Sequence, residues 1–120
     1  MPKRMAETVF QKIIRKEIPV DILYEDEDIL AFRDIHPLAP VHVLIIPKKE
    51  IVSVATLEDE DVPLMGKMIR VARDIARDLK ISEKGYKLLY RVGEHGGQEV
   101  QHIHLHLLGG ARLSENIHPL

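Results

Sequence analysis

Cysteine is absent from all 120 residues. That excludes disulfides and cysteine-based metal sites, although it leaves the redox compartment open. No stretch approaches the roughly eighteen apolar residues a membrane span requires, and no apolar segment follows the basic start Met1-Pro2-Lys3-Arg4-Met5-Ala6. A soluble, cytoplasmic protein with no membrane contact is expected. An excess of one charge is missing too: 17 Lys and Arg stand against 19 Asp and Glu, for a formal net charge of −2. Bulk charge therefore advertises nothing to a nucleic acid, and any nucleotide site must be local. Repeats, low-complexity tracts and linkers are lacking. A chain of this length makes one domain that buries about two thirds of its unfolded surface. The domain should cover residues 1–120, with its core over about 8–110 and a polar tail from Ala111 to Leu120.

What is present is concentrated in Gln101-His102-Ile103-His104-Leu105-His106-Leu107-Leu108. Alternation of histidine with aliphatic residues reads as a strand, because strand side chains point to two faces in turn. Three imidazoles then share one face, while Ile103, Leu105 and Leu107 turn to a core. Such a row places acid-base and nucleophilic groups on a rigid element. A common metal is the competing use, yet four residues of strand hold the outer Cα atoms roughly 13 Å apart. Three rings do not easily meet one zinc at bonds of about 2 Å across that span. Two neighbouring rings helped by His42 remain as a metal pair, but His-Glu-x-x-His and Cys-x-x-Cys signatures are missing. No metal and no cofactor are expected.

Along the chain, Thr8 with Gln11 fits a capping box, and Val9, Phe10, Ile13 and Ile14 follow at helical spacing. A short helix from about Val9 to Lys16 results, since Pro19 forbids a longer one. Ile22 to Glu25 and Ile29 to Arg33 read as a hairpin about the acidic turn Asp26-Glu27-Asp28. Asp34, where the second strand ends, is a turn former or a solvated charge on its residue type alone. Pro37 and Pro40 bracket an irregular segment in which His36 faces solvent. Val41 to Ile46 is a third strand; His42 shares its parity with Leu44 and Ile46 and belongs on a mostly buried face. By itself that describes a satisfied core histidine. The acidic run Glu58 to Asp61 suits a helix N-terminus, with Pro63 in the first turn. Leu64, Met65, Met68, Ile69, Ala72, Ile75, Ala76 and Leu79 then recur at helical spacing as the long helix. Tyr86 to Val92 reads as a fourth strand, and Gly93 to Gly97 turns the chain back into the histidine strand. The whole is α+β: a five-stranded antiparallel sheet with one short and one long helix packed on it.

At this point Gly96 to Leu108, with its His-x-His-x-His followed by apolar residues, resembles the signature of the histidine triad (HIT) family. Ile13 to Pro19, Ala31 to Ile35 with Pro37, and His42 to Lys49 resemble its Hint branch, the nucleoside phosphoramidases. The likeness runs from about Thr8 to Gly110. It implies that His104 is the nucleophile, forming a nucleotidyl-histidine at the α-phosphate with an amine as leaving group. His106 would protonate or hydrogen-bond the leaving atom, while His102 and His42 hold the pair in register. The same likeness implies a purine nucleotide site. In it Val9, Phe10, Ile13 and Ile18 flank the base, Asp34 accepts the ribose hydroxyls, and Phe32, Arg33 and Ile35 lie alongside. Arg91, Gly97, Gln98 and Glu99 stand near the phosphate, with amides after the glycines as donors and Glu99 acting through its backbone. It further implies a homodimer, joined through the long helix and the fourth strand into one continuous sheet.

Two positions depart from the family pattern. Hint proteins usually carry asparagine where this chain has Arg91, and the branch that cleaves dinucleoside polyphosphates carries glutamine there. A permanent guanidinium fork suits a leaving group with extra phosphate or acid, provided that it faces the site rather than solvent. Gln101 replaces a common aromatic beside the triad, which leaves the side-group preference open. The first reading is a hydrolase acting on purine nucleoside 5′-phosphoramidates of AMP-amine or AMP-lysine type. A dinucleoside polyphosphate hydrolase, a non-catalytic nucleotide-binding or scaffold protein and a metal-binding module remain as alternatives.

Overall fold

The computed structural model describes residues 7–120; the basic start, 1–6, lies outside the described residues. Thr8 caps α1 (Val9–Ile14): its hydroxyl accepts the Gln11 amide at 3.2 Å, and the Gln11 side chain accepts the Thr8 amide at 2.8 Å. Both bonds satisfy donors that the first helical turn leaves free. The helix stops two residues short of the expected Lys16. There Lys16 takes a left-handed φ of 63°, while the amides of Lys16 and Glu17 turn back to the carbonyls of Ile13 and Lys12. That pair of bonds is a Schellman closure, which ends a helix by itself.

The sheet is built from β1 (Ile22–Glu25), β2 (Ile29–Arg33), β3 (Val41–Pro47), β4 (Lys87–Leu89) and β5 (Leu105–Gly109). Its order is β1-β2-β3-β5-β4, antiparallel throughout. Odd-numbered residues of the central strands, Ile29, Ala31, Val43, Ile45, Leu105 and Leu107, pack beneath α2 (Val62–Asp78) with Met68, Val71, Ala72, Ile75 and Ala76. Even-numbered residues Leu30, Phe32, Leu44 and Ile46 form a second cluster with Phe10 and Ile13 of α1. The alternating pattern of the strands thus divides the core into two layers. The histidines fall in the thinner one. Pro63 lies in the first turn of α2, as its missing N–H allows. Ile69, placed by its spacing on the apolar stripe, is instead 48 % exposed.

Two strand limits differ from the sequence expectation. β5 begins at Leu105 rather than near Gln101, because the Ile103 amide bonds to the Ile51 carbonyl at 2.7 Å and draws residues 102–104 toward that segment. With no strand opposite, β4 ends at Leu89 instead of Val92, and pairing stops at Leu89 opposite His106. His102 and His104 therefore stand on an extended lead-in. Parity survives the change, so Leu105 and Leu107 still face α2.

Asp26 ties the β1–β2 turn to α2. Its carboxylate accepts the amides of Asp28 and Ile29, the Tyr24 hydroxyl at 2.6 Å and the Lys67 ammonium at 2.9 Å. Burial alone would raise its pKa, but the four hydrogen bonds outweigh that and hold it well below the usual carboxylate range. Stability from this group is therefore complete above the unfolded value, about 4, and is lost as pH falls below it. Asp26→Asn should lower unfolding free energy by about 1–3 kcal/mol at pH 7. In urea titrations the gap to wild type should close as pH is lowered below about 4; a constant gap contradicts the assignment.

Candidate active site

β3 and β5 bring His42 and His106 together. Leu44 stands opposite His106 and Leu108 opposite His42, so the two histidines are diagonal neighbours on one face. His42 Nε2 and His106 Nδ1 lie 3.0 Å apart. The rings of His104 and His106 have centroids 4.9 Å apart, and Phe10 packs in a T-shaped arrangement against His104 and His102, at centroid distances of 5.0 and 6.2 Å. All four histidines are buried, with His104 and His106 each 7 % exposed.

Backbone groups decide where the protons sit. The Leu38 N–H, which can only donate, reaches His42 Nδ1 at 3.1 Å, so His42 carries its proton on Nε2. That proton is donated to His106 Nδ1, and His106 must then carry its own on Nε2. His104 Nδ1–H donates to the His102 carbonyl at 2.7 Å, which leaves the Nε2 lone pair of His104 free. His102 Nε2–H donates to the Pro47 carbonyl at 2.8 Å. A nitrogen with a free lone pair thus stands beside a ring whose Nε2–H has no acceptor among the described residues. A buried donor without a partner costs about 1–3 kcal/mol, so the site is disposed to accept one from a ligand.

Burial lowers the pKa of all four rings. His106 is pushed down to about 3, first by burial and then by the charges of His104, His42 and Arg91. For His42 and His104 the Asp34 carboxylate works the other way, while Arg91 lowers both. The rings are consequently neutral near pH 7, which a nitrogen nucleophile requires. Asp34 Oδ2 lies 3.6 Å from His42 Nε2, beyond hydrogen-bond length, so with a neutral ring this approach is no ion pair. The other Asp34 oxygen accepts the His36 amide in the turn its residue type suggests.

Remaining site candidates fall into three groups. Phe10, Ile13 and Phe32 are buried together, with Ile18 packed beside them, whereas Val9 and Ile35 are exposed. Arg33 is half-buried and paired with Asp21 at 3.0 Å. In the glycine loop the amides of Gly97 and Gln98 return to the carbonyls of Glu94 and Gly93 and close the turn. The amide of Glu99 is the next along the chain. Gln98 is also held inward by its side chain, which donates to Val52 and Val100 carbonyls and accepts the Gly93 amide. Arg91 faces the site, with Nη1 3.6 Å from where a Cβ on Gly97 would stand. Gly96 has no room for any side chain, since its Cβ would meet the Val92 carbonyl oxygen at 2.4 Å.

The residues missed by sequence reasoning act through the backbone: Leu38 and Pro47 orient rings with groups every residue possesses, and no residue type announces them. Among the described residues no three His, Asp or Glu side chains converge as metal ligands. Two surface concavities, of about 510 and 1010 Å³, are lined by Lys49 and Lys67 and by Tyr86 and Arg112; neither includes a triad histidine. Because folded-state burial depresses the histidine pKa values below the unfolded 6.5 or so, the unfolded chain binds more protons in that window. Stability should thus be complete above about pH 6.5 and fall as pH drops toward 5. Urea midpoints at the two pH values check this, and replacing His106 by Gln should flatten the slope.

The HIT domain model matches residues 15–113. The purine nucleoside phosphoramidase of Escherichia coli (strain K12) is 53 % identical over 107 residues, which is 89 % of this chain and 90 % of that protein. Among solved structures, a HIT family hydrolase from Legionella pneumophila Philadelphia 1 superposes with a TM-score of 0.90 at 46 % identity, covering 93 % of this chain and all of that one. A HIT family hydrolase from Clostridium thermocellum gives 0.89 at 44 % identity, over 95 % and 99 % of the two chains. The four histidines thus stand in a fold shared along almost its whole length, and the chain belongs to the histidine triad family.

Proposed function

We propose that this protein hydrolyses the P–N bond of purine nucleoside 5′-phosphoramidates through a nucleotidyl-histidine on His104. The observation that carries the reading is the pairing of a free Nε2 lone pair on His104 with the unpartnered Nε2–H of His106. The activity of the Escherichia coli relative, 53 % identical, supports it. In the first step the His104 lone pair forms a bond to phosphorus while the P–N electrons leave on nitrogen, which takes a proton from His106 Nε2. All four rings are neutral in the free protein, so the proton count closes when one proton enters with the anionic substrate. In the second step water attacks phosphorus, the P–Nε2 electrons return to His104, and the water proton restores the site. The products are a nucleoside monophosphate and an amine.

Asp34 takes the ribose hydroxyls, and the Phe10, Ile13, Ile18 and Phe32 cluster, with Val9 and Ile35 at its exposed side, takes the base. The Glu99 amide offers a fixed donor to the phosphoryl oxygens. A dinucleoside polyphosphate, whose leaving group is itself a phosphate, is the second reading that Arg91 favours. No helix among the described residues is long and apolar enough to cross a membrane, and the reading includes action in the cytoplasm. It also includes a homodimer in which α2 and the sheet-edge strand β4 meet their counterparts, consistent with exposed Val62 and Ile69 on α2.

Wild-type protein should release AMP from adenosine 5′-phosphoramidate, and His104→Ala should lose at least about a thousandfold in turnover. Acid quench of the wild type should trap a nucleotide adduct on His104. Binding without turnover in both forms would identify a nucleotide-binding protein instead. Sedimentation should return twice the 13.7 kDa chain mass; a single chain mass contradicts the dimer.

A further inference from the structure

Arg91 lies on the triad face by the alternation of the residues that precede it. Leu89 pairs with His106, while Leu88 and Tyr90 pack into the α2 layer. Odd-numbered positions around the end of β4 therefore point to the other face, and Arg91, two residues beyond Leu89, continues that alternation past the last paired residue. Its guanidinium lies beside Gly97, a residue at φ 79°, with Nη1 3.6 Å from where a Cβ there would stand. From there its charge reaches His42, His104 and His106, depressing the proton affinity of each.

No carboxylate pairs with Arg91 among the described residues, although Arg33, Arg73 and Arg77 each have one within 4 Å. A half-buried guanidinium among neutral rings is a standing demand for an anion. The α-phosphate is one candidate, yet its charge is common to every substrate and discriminates between none. The order of groups across the face is more informative. Asp34 follows β2 and abuts His42 of β3, the triad histidines occupy the β5 segment, and Arg91 follows β4. With the ribose on the Asp34 side and phosphorus over His104, Arg91 stands on the side of the phosphorus away from the ribose, where an anion carried by the leaving group can meet it.

We infer that Arg91 selects leaving groups carrying their own anion, so that amines bearing a carboxylate or a phosphate are the preferred partners in the phosphoramidate bond. The inference rests on the phosphoramidase reading and on Asp34 holding the ribose. Carboxylate and phosphate share the chemistry that a planar, doubly donating cation recognises, and either completes the missing ion pair.

Three AMP conjugates that share a two-carbon stem on nitrogen separate the possibilities: those of ethylamine, β-alanine and 2-aminoethyl phosphate. In wild type kcat/KM should be at least about tenfold higher for the charged conjugates, and the better of the two identifies the anion. Arg91→Gln should bring the charged-to-neutral ratio down by about that factor, and Arg91→Lys should fall between. Taking the change in ratio removes intrinsic differences in amine reactivity. An unchanged ratio in Arg91→Gln, or a wild-type ratio near one, overturns the inference. Should Arg91→Gln fail to fold, the salt dependence of the wild-type ratio decides. A preference that shrinks between about 0.05 and 0.5 M salt supports it, and a flat one overturns it. Turnover of the ethylamine conjugate without charge preference sinks this inference alone; inactivity on all three and on adenosine phosphoramidate sinks the phosphoramidase reading with it.

Discussion

The site depends on one constraint: every second residue of the β5 segment must go under α2. Leu105 and Leu107 are almost fully buried in the layer that α2 covers. Burying each such side chain is worth about 1.5–3 kcal/mol, and a strand cannot turn one residue without turning its neighbours. The aliphatic residues thereby force His104 and His106 to the opposite face, where no long helix lies over them. Position on that face then follows from β3, whose own alternation delivers His42 to His106. Packing on one side of the sheet sets the chemistry on the other.

Burial also sets the protonation of the rings. Imidazoles this enclosed remain neutral, and neutral rings carry directed lone pairs that backbone groups can assign. The Leu38 amide and the carbonyls of His102 and Pro47 make those assignments without any ionisable partner. Asp34 stands just outside hydrogen-bond range of His42, so it raises proton affinity without capturing the relay proton. Arg91 opposes it from the β4 side. The two fixed charges flank the triad with opposite signs, which gives an anionic, asymmetric ligand a direction along the face.

Much of this was readable from residue types. Both hairpin strands, the capping box at Thr8 and the parity of His42 and of the triad follow from local pattern, because the forces responsible act between near neighbours in sequence. The five-stranded antiparallel sheet and the histidine triad family membership were legible from the same stretches. The ends of β4 and β5 were not. They depend on the Ile103 amide choosing the Ile51 carbonyl, a contact between distant segments with no compositional mark. The bonding inside the glycine loop was equally unmarked: Gly97 and Gln98 use their amides to close their own turn, and the Gln98 side chain braces it against Val52 and Val100. Ile69 matched the helical stripe yet lies beyond the reach of the sheet, since periodicity gives direction but not the width of the surface being covered.

The short helix over the triad has a consequence of its own. With six residues, α1 is below the length at which a helix sustains itself, and it is secured at both ends by local bonds of Thr8, Gln11, Lys16 and Glu17. Its main packing attachment is the small Phe10 and Ile13 cluster, whereas the sheet is held from behind by α2. Amide exchange in α1 should therefore proceed by an opening far smaller than global unfolding. Such an opening uncovers His104 while the strands that align it stay folded, so access to that ring and the integrity of its alignment are governed by separate parts of the molecule.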